Sequence, residues 1–104
     1  MTESSTTLQA ELLSARFRIA FKRALIAKNP QDTGLVAVTT ELAGGDAELG
    51  QAALNHLVGK FDSGERVARA VFRTFITGRL DVVGIRDGEF VFECTDTGRE
   101  GLKR

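Results

Sequence analysis

One short turn in the second half of the sequence constrains most strongly how this chain can fold. Asp87-Gly88 separates two alternating runs of apolar and polar residues, 81–86 and 89–94. Such alternation is typical of strands with one buried face, and Asp-Gly suits a type I′ turn because both central residues need a positive φ. The expected cross-strand pairs are Ile85 with Phe90, Val83 with Phe92, and Arg86 with Glu89.

The segment before the hairpin, residues 63–77, has helical periodicity instead. Arg66, Arg69 and Arg73 are spaced three and four residues apart, so at about 100° per residue they share one face, which Thr77 continues. The opposite face is apolar and is expected to pack on a core. It consists of Val67, Ala68, Val71, Phe72, Phe75 and Ile76.

Both ends of this helix are signalled locally. Asp62 and Glu65 have the spacing of a capping box, with Ser63 as a second candidate cap, so acceptors are available for the free N–H groups of the first turn. Gly78 can adopt the left-handed conformation that closes a helix. These signals predict a helix over 63–77 and a turn before it at 59–62.

The order of these elements resembles the second half of a winged helix-turn-helix domain. The helix leads through Gly78-Arg79-Leu80 into the hairpin, which is followed by Thr95-Asp96-Thr97-Gly98-Arg99-Glu100-Gly101-Leu102. This order is similar to that of small bacterial regulators of the MarR-like and PadR-like families, in which a Thr-x-x-Gly-Arg segment opens the helix after the wing. The resemblance implies that the helix over 63–77 enters the major groove of DNA.

The N-terminal part of the chain predicts one long helix. Thr6 and Gln9 have capping-box spacing, and nothing interrupts a helix from Leu8 to Lys28. Residues 1–7 are therefore expected to form a flexible terminus, and 8–104 to form a single domain, which suits the length of 104 residues.

The middle of the chain supplies the remaining elements. Residues 35–40 are short and β-branched, consistent with a small strand, although Val38 to Ala43 could equally begin a helix. Asp46 can cap a helix over 47–60. The predicted fold is α+β: a winged helix-turn-helix made of a long N-terminal helix, a short strand, two helices and a two-stranded wing.

The N-terminal helix carries two apolar stripes. One comprises Leu13, Phe17, Ala20, Phe21 and Ala24. The other comprises Leu8, Leu12, Ala15, Ile19 and Ile26. Two interpretations stay open: both stripes are buried in the same core, or the second stripe packs against the same helix of another subunit and forms a homodimer.

Arginine is suited to the position that the resemblance gives it, since its fork donates two bonds to guanine or clamps a phosphate. The predicted DNA-binding residues are Arg66, Arg69, Arg73, Thr74, Thr77, Arg79 and Arg86. The competing interpretation is a solvated face that only keeps the helix soluble. The balance of 14 basic and 14 acidic residues argues against non-specific coating of nucleic acid, which depends on neutralising many phosphates.

Other functional classes find little support in the sequence. One cysteine and one histidine leave neither a disulfide nor a zinc site. Cys94 continues the alternation of the second strand and is expected to be buried and inert, whereas His56 is expected at the surface. With no catalytic set, no cofactor, no metal site and no membrane-spanning run, the chain is predicted to be a cytoplasmic protein that is not an enzyme.

The sequence thus favours a transcriptional regulator that binds double-stranded DNA through helix 63–77 as a homodimer. The alternative is a winged helix that acts as a protein-interaction adaptor without binding DNA. Neutral net charge and the acidic hairpin tip, Arg86-Asp87-Gly88-Glu89, favour the alternative, while the arginine face opposes it.

Overall fold

The computed structural model describes the backbone of residues 2–95 and the side chains of residues 9–95. Over this range the chain forms four helices and one antiparallel hairpin, which confirms the predicted α+β class. The elements are α1 (Thr2–Ile26), α2 (Thr33–Leu42), α3 (Ala47–Asp62), α4 (Arg66–Ile76), β1 (Leu80–Arg86) and β2 (Glu89–Cys94). The predicted Thr-x-x-Gly-Arg segment, apart from Thr95, lies outside the described residues.

The sequence predicted a flexible terminus over residues 1–7 and a helix that starts at the Thr6 cap. Helix α1 instead begins at Thr2 and so includes most of that segment. It ends at Ile26, two residues before the predicted end. Lys28 takes a positive φ of 55°, and the amide of Asn29 donates to the carbonyl of Ala24 at 2.8 Å, which closes the helix. The left-handed residue therefore ends α1 before Pro30 is reached.

The strand predicted over residues 35–40 is wrong, because this segment lies in helix α2. A carboxylate oxygen of Asp32 accepts from the amides of Gly34 and Leu35 at 2.9 and 3.3 Å and so caps the helix. Leu35, Val38 and Thr39 are buried together at helical spacing. Capping and a three-and-four burial pattern outweigh the strand preference of the β-branched residues.

The boundary between α3 and α4 also differs from its prediction. Asp62 is the last residue of α3, and the hydroxyl of Ser63 donates to the carbonyl of Lys60 at 2.7 Å, so neither residue caps α4. Gly64 turns the chain with a φ of 75°, and α4 begins at Arg66 rather than at 63. A left-handed glycine is the usual end of a helix, which is why α3 continues through the turn predicted at 59–62.

The hairpin forms with the predicted turn and a shifted inner register. Asp87 and Gly88 have φ values of 53° and 80°, and Ile85 pairs with Phe90. Arg86 also pairs with Glu89 as predicted. A bulge between Val82 and Gly84 makes Val82, rather than Val83, the partner of Phe92. An extra residue in one strand shifts the inward alternation, so Val82 becomes fully buried.

The core is built on all seven phenylalanines of the chain. Phe17 of α1 lies at its centre, with ring centroids 5.3 Å from Phe75 of α4 and 5.0 Å from Phe90 of β2. Further ring contacts join Phe21 to Phe72, Phe61 to Phe72, and Phe75 to Phe92. Tilted and edge-on contacts of this kind stabilise beyond their buried area, so α1, α3, α4 and the hairpin share one aromatic core.

Helices α2 and α3 cross closely at a glycine. A Cβ added at Gly50 would lie 3.0 Å from the carbonyl carbon and oxygen of Thr39, whereas one added at Gly59 in the same helix would meet nothing within 4 Å. Gly50 is buried and Gly59 is exposed. Of these two glycines, only Gly50 lies where a side chain would disturb the close approach of α2 and α3.

Two alanine substitutions in α3 are expected to have opposite effects on the free energy of unfolding. Gly50→Ala should lower it by about 1–3 kcal/mol, because the methyl group overpacks against backbone. Gly59→Ala should raise it by about 0.5–1 kcal/mol, because alanine loses less conformational entropy in a helix. Urea unfolding followed by circular dichroism measures both, and equal effects at the two sites would contradict the close crossing.

Candidate nucleic-acid interface

Helix α4 presents its arginine stripe, defined as Arg66, Arg69 and Arg73, to solvent. Phe72 and Phe75 are buried in the aromatic core, and all three arginines are exposed. At about 100° per residue the stripe lies on the side of the helix away from these two rings. The core contacts therefore fix which face α4 turns outwards, and that face is the cationic one.

The arginine stripe makes no ion pair with any residue that the structure describes. Asp81 could have neutralised the nearby Arg79. Its carboxylate oxygen Oδ1 instead lies 3.5 Å from Nε of Arg18. That pair is mostly buried, and neither Arg18 Nε nor Asp81 Oδ1 has a hydrogen-bond partner among the described residues, so the contact is a Coulombic pair without hydrogen-bond geometry. The cations of α4 thus stay available to an external anion.

The two threonines predicted to contact DNA have their hydroxyl protons engaged. Thr74 Oγ1 donates to the carbonyl of Ala70 at 2.7 Å, and Thr77 Oγ1 donates to the carbonyl of Thr74 at 3.0 Å. Thr77 is exposed, while Thr74 is half-buried. A hydroxyl that has donated its proton keeps oxygen lone pairs, so Thr77 can accept from a base amino group but is poorly placed to donate to a phosphate.

The two remaining predicted arginines lie at opposite ends of the hairpin. Arg79 lies three residues after the end of α4 and is exposed, and its carbonyl accepts from the amide of Thr95 at 3.0 Å. Gly78, with a φ of 84°, turns the chain between α4 and Arg79 as predicted. Arg86 is at the hairpin tip, roughly 20 Å further along β1. Arg79 therefore lies near the C-terminal end of α4, while Arg86 forms a separate cationic position.

The hairpin tip is tied to helix α3. Glu89 Oε1 lies 3.0 Å from Nε2 of His56 and 4.0 Å from Nζ of Lys60. His56 is exposed, which confirms its predicted place at the surface. The acid at the tip therefore contacts two basic side chains of α3, the helix that precedes α4, in a solvent-exposed arrangement.

A groove that the sequence did not predict runs beside α4. It has a volume of about 290 Å³ and is bordered by α3, α4 and β2. Val67 and Val71, predicted to pack on the core, line it with 74% and 38% of their surface exposed. They lie at the edge of the apolar arc of α4, where helical periodicity alone does not tell a core residue from a groove residue.

Helix α1 buries one apolar stripe and exposes the other. Phe17, Ala20, Phe21 and Ala24 belong to the core, and Leu13 is half-buried. Leu12, Ile19 and Ile26 are 62%, 64% and 75% exposed, and Ala15 is half-buried. Burial of both stripes in one core is thus contradicted, while the side chain of Leu8 lies outside the described residues.

Cys94 is exposed, so its predicted burial is wrong. Its strand partner is Leu80, at the open end of the hairpin, where none of the described elements covers β2 as the core covers Phe90. Among the described residues there is no cluster of three side chains that could hold a metal ion. In that same part of the chain, no helix is long and apolar enough to cross a membrane.

In comparisons with known proteins, no family model, curated protein sequence or solved structure matches this chain significantly.

The N-terminus of α4 has no side-chain cap, so a substitution there can stabilise the protein. Glu65 is at the N-cap, but its side chain makes no capping hydrogen bond. Glu65→Asp keeps the charge and shortens the side chain to one that caps well, so the free energy of unfolding should rise by about 0.5–2 kcal/mol. Thermal unfolding would measure the gain, with Glu65→Gln as a control that gains no cap. An unchanged or lower melting temperature for Glu65→Asp would contradict this geometry.

Proposed function

We propose that this protein is a DNA-binding transcriptional regulator of winged helix-turn-helix type, in which α4 reads the major groove. The observation that carries the proposal is the arginine stripe, exposed along α4 and without an ion pair among the described residues. Exposed cations held on a rigid helix suit a groove lined by phosphates and base edges.

The arrangement of the neighbouring elements supports this proposal. Helices α3 and α4 are joined by a short turn at Gly64, and the hairpin follows α4 through Gly78. This is the order in which a winged helix places a recognition helix and its wing. Arg79 would then contact a phosphate at the end of α4, and Arg86 would reach another phosphate from the hairpin tip.

The regulator would act as a homodimer formed through α1. Leu12, Ile19 and Ile26 project large apolar side chains into solvent on the face of α1 that the core does not use. Two copies that share this surface would present two α4 helices, and two half-sites of a roughly palindromic operator would match them.

A second candidate function is a protein-interaction adaptor without DNA binding. The groove beside α4, with Val67 and Val71 exposed, favours it, because open apolar surface is more typical of protein contacts than of DNA contacts. The hairpin tip also carries little positive charge, because Arg86 is followed by the acids Asp87 and Glu89.

Binding of random-sequence duplex DNA across a salt series tests the proposal. The variant with Arg69→Ala and Arg73→Ala should bind more weakly, and the slope of log K against log salt should become shallower by about two units, one per lost phosphate contact. Arg16→Ala with Lys28→Asn removes the same charge from exposed positions away from α4 and should leave the slope nearly unchanged, asparagine being chosen because residue 28 has a positive φ.

The control decides between specific and general electrostatic effects. Equal losses in the two double variants would indicate that only net charge matters. If the wild type does not bind duplex DNA at low salt, the regulator proposal fails and the adaptor becomes the better account. Val67→Asp would then be expected to abolish partner binding while the arginine variants leave it unchanged.

A further inference from the structure

We infer that the exposed stripe of α1, defined as Leu12, Ala15, Ile19 and Ile26, pairs in antiparallel orientation with the same stripe of a second copy. The inference rests on the homodimer of the proposed function and specifies its geometry. The occupant of this face is a second copy of the chain, and the two α1 helices run in opposite directions.

The stripe has the periodicity of a helix–helix seam. Leu12, Ile19 and Ile26 recur every seven residues, and Phe17 and Phe21 lie on the other side of the helix in the core. A seven-residue apolar repeat keeps one narrow face in contact with a partner helix. Ala15, between Leu12 and Ile19, is small enough to let the partner approach closely.

Charge is sorted along α1, and this sets the direction of pairing. The acids Glu3 and Glu11 are in its first half, and the cations follow in its second half, at Arg16, Arg18, Lys22 and Arg23. A parallel pair would bring the cationic halves together. An antiparallel pair places each acidic half against a cationic half, which is the favourable arrangement for pairs across a seam.

Two of the cations are already neutralised within the chain. Arg16 Nη1 lies 3.1 Å from Glu41 Oε2, and Arg18 pairs with Asp81. Lys22 and Arg23 are exposed and form no ion pair with the described residues, and neither does Glu11. The unpaired acid and the unpaired cations are thus the groups that a second copy can match.

Matching these groups fixes the register. If Glu11 pairs with Lys22 of the second copy, which lies on the same flank of the seam, antiparallel geometry places Leu12 opposite Lys22 and Ala15 opposite Ile19. The last pair sets a small side chain against a large one, which packs without a void. The apolar stem of Lys22 can cover Leu12 while its ammonium group reaches towards Glu11. Each contact occurs twice, because a two-fold interface is isologous.

Disulfide trapping tests the direction and register, in the full-length chain with Cys94→Ser to remove the exposed native thiol. Leu12→Cys and Lys22→Cys are each expected to give little disulfide dimer alone, and a mixture of the two is expected to give a mixed disulfide. In the antiparallel register the two Leu12 positions are about 15 Å apart, beyond the Cα separation of about 7 Å that a disulfide allows. Efficient self-crosslinking of either variant, without the mixed product, would overturn the inference.

Sedimentation velocity without DNA tests whether the stripe carries the interface at all. Ile19→Asp should convert a dimer into a monomer. Val67→Asp makes the same chemical change at a similarly exposed site, 74% against 64%, and should stay dimeric. Both residues are largely exposed, and a preserved melting temperature would verify folding. A monomeric wild type, or a dimer that survives Ile19→Asp, would overturn the inference.

The two proposals fail in distinguishable ways. The Arg69→Ala and Arg73→Ala variant should sediment as a dimer although it binds DNA weakly. Ile19→Asp should retain a salt-dependent affinity for DNA through a single α4, reduced because bivalency is lost. Dimerisation without DNA binding would reject the regulator and leave the antiparallel pair intact. DNA binding by a monomeric wild type would reject the antiparallel pair and leave DNA binding through α4 intact.

Discussion

The packing of Phe17 against the rings around it is the interaction on which the other features of this fold depend. Phe17 contacts Phe21 in its own helix, Phe75 of α4 and Phe90 of β2, so one side chain of α1 fixes the positions of two other elements. Because Phe72 and Phe75 must face these rings, α4 has one rotation about its axis that fits. The exposure of the arginine stripe is therefore a consequence of aromatic packing, and removing the arginines would leave the fold in place.

Local chemistry predicted the elements whose signals lie within a few residues. The Asp87-Gly88 turn and the closure of α4 at Gly78 needed only a positive φ at named positions, and both occur. Residues 35–40 were mispredicted because their strand preference is weak compared with the cap from Asp32 and with burial on the core. The bulge after Val82 was not visible in the sequence either, and neither was the hydrogen bond that the buried hydroxyl of Ser14, in α1, donates to the Val82 carbonyl. Alternation cannot report such a long-range bond.

Within the candidate site, too, the sequence predicted some features and not others. The spacing of Arg66, Arg69 and Arg73 was sufficient to place them on one exposed face, because helical geometry relates neighbours directly. The groove was not predictable, because the exposure of Val67 and Val71 depends on how far β2 and α3 reach over α4. Cys94 was wrongly predicted to be buried for a related reason. The alternation of apolar and polar residues continues to the end of β2, but the core that buries its inward-facing residues does not extend that far.

Helix α1 packs on the core with one side and faces solvent with the other, and its length makes the exposed side large. A helix of 25 residues is about 37 Å long, and the largest extent of the structure is 34 Å. Such a helix spans the whole domain, and the elements that the structure describes cover only one of its sides. Large apolar residues at Leu12, Ile19 and Ile26 are costly on the uncovered side unless something else removes them from water. The proposed second copy would do so, and it would leave α4 free because the stripe of α1 lies opposite the rings that hold α4 in place.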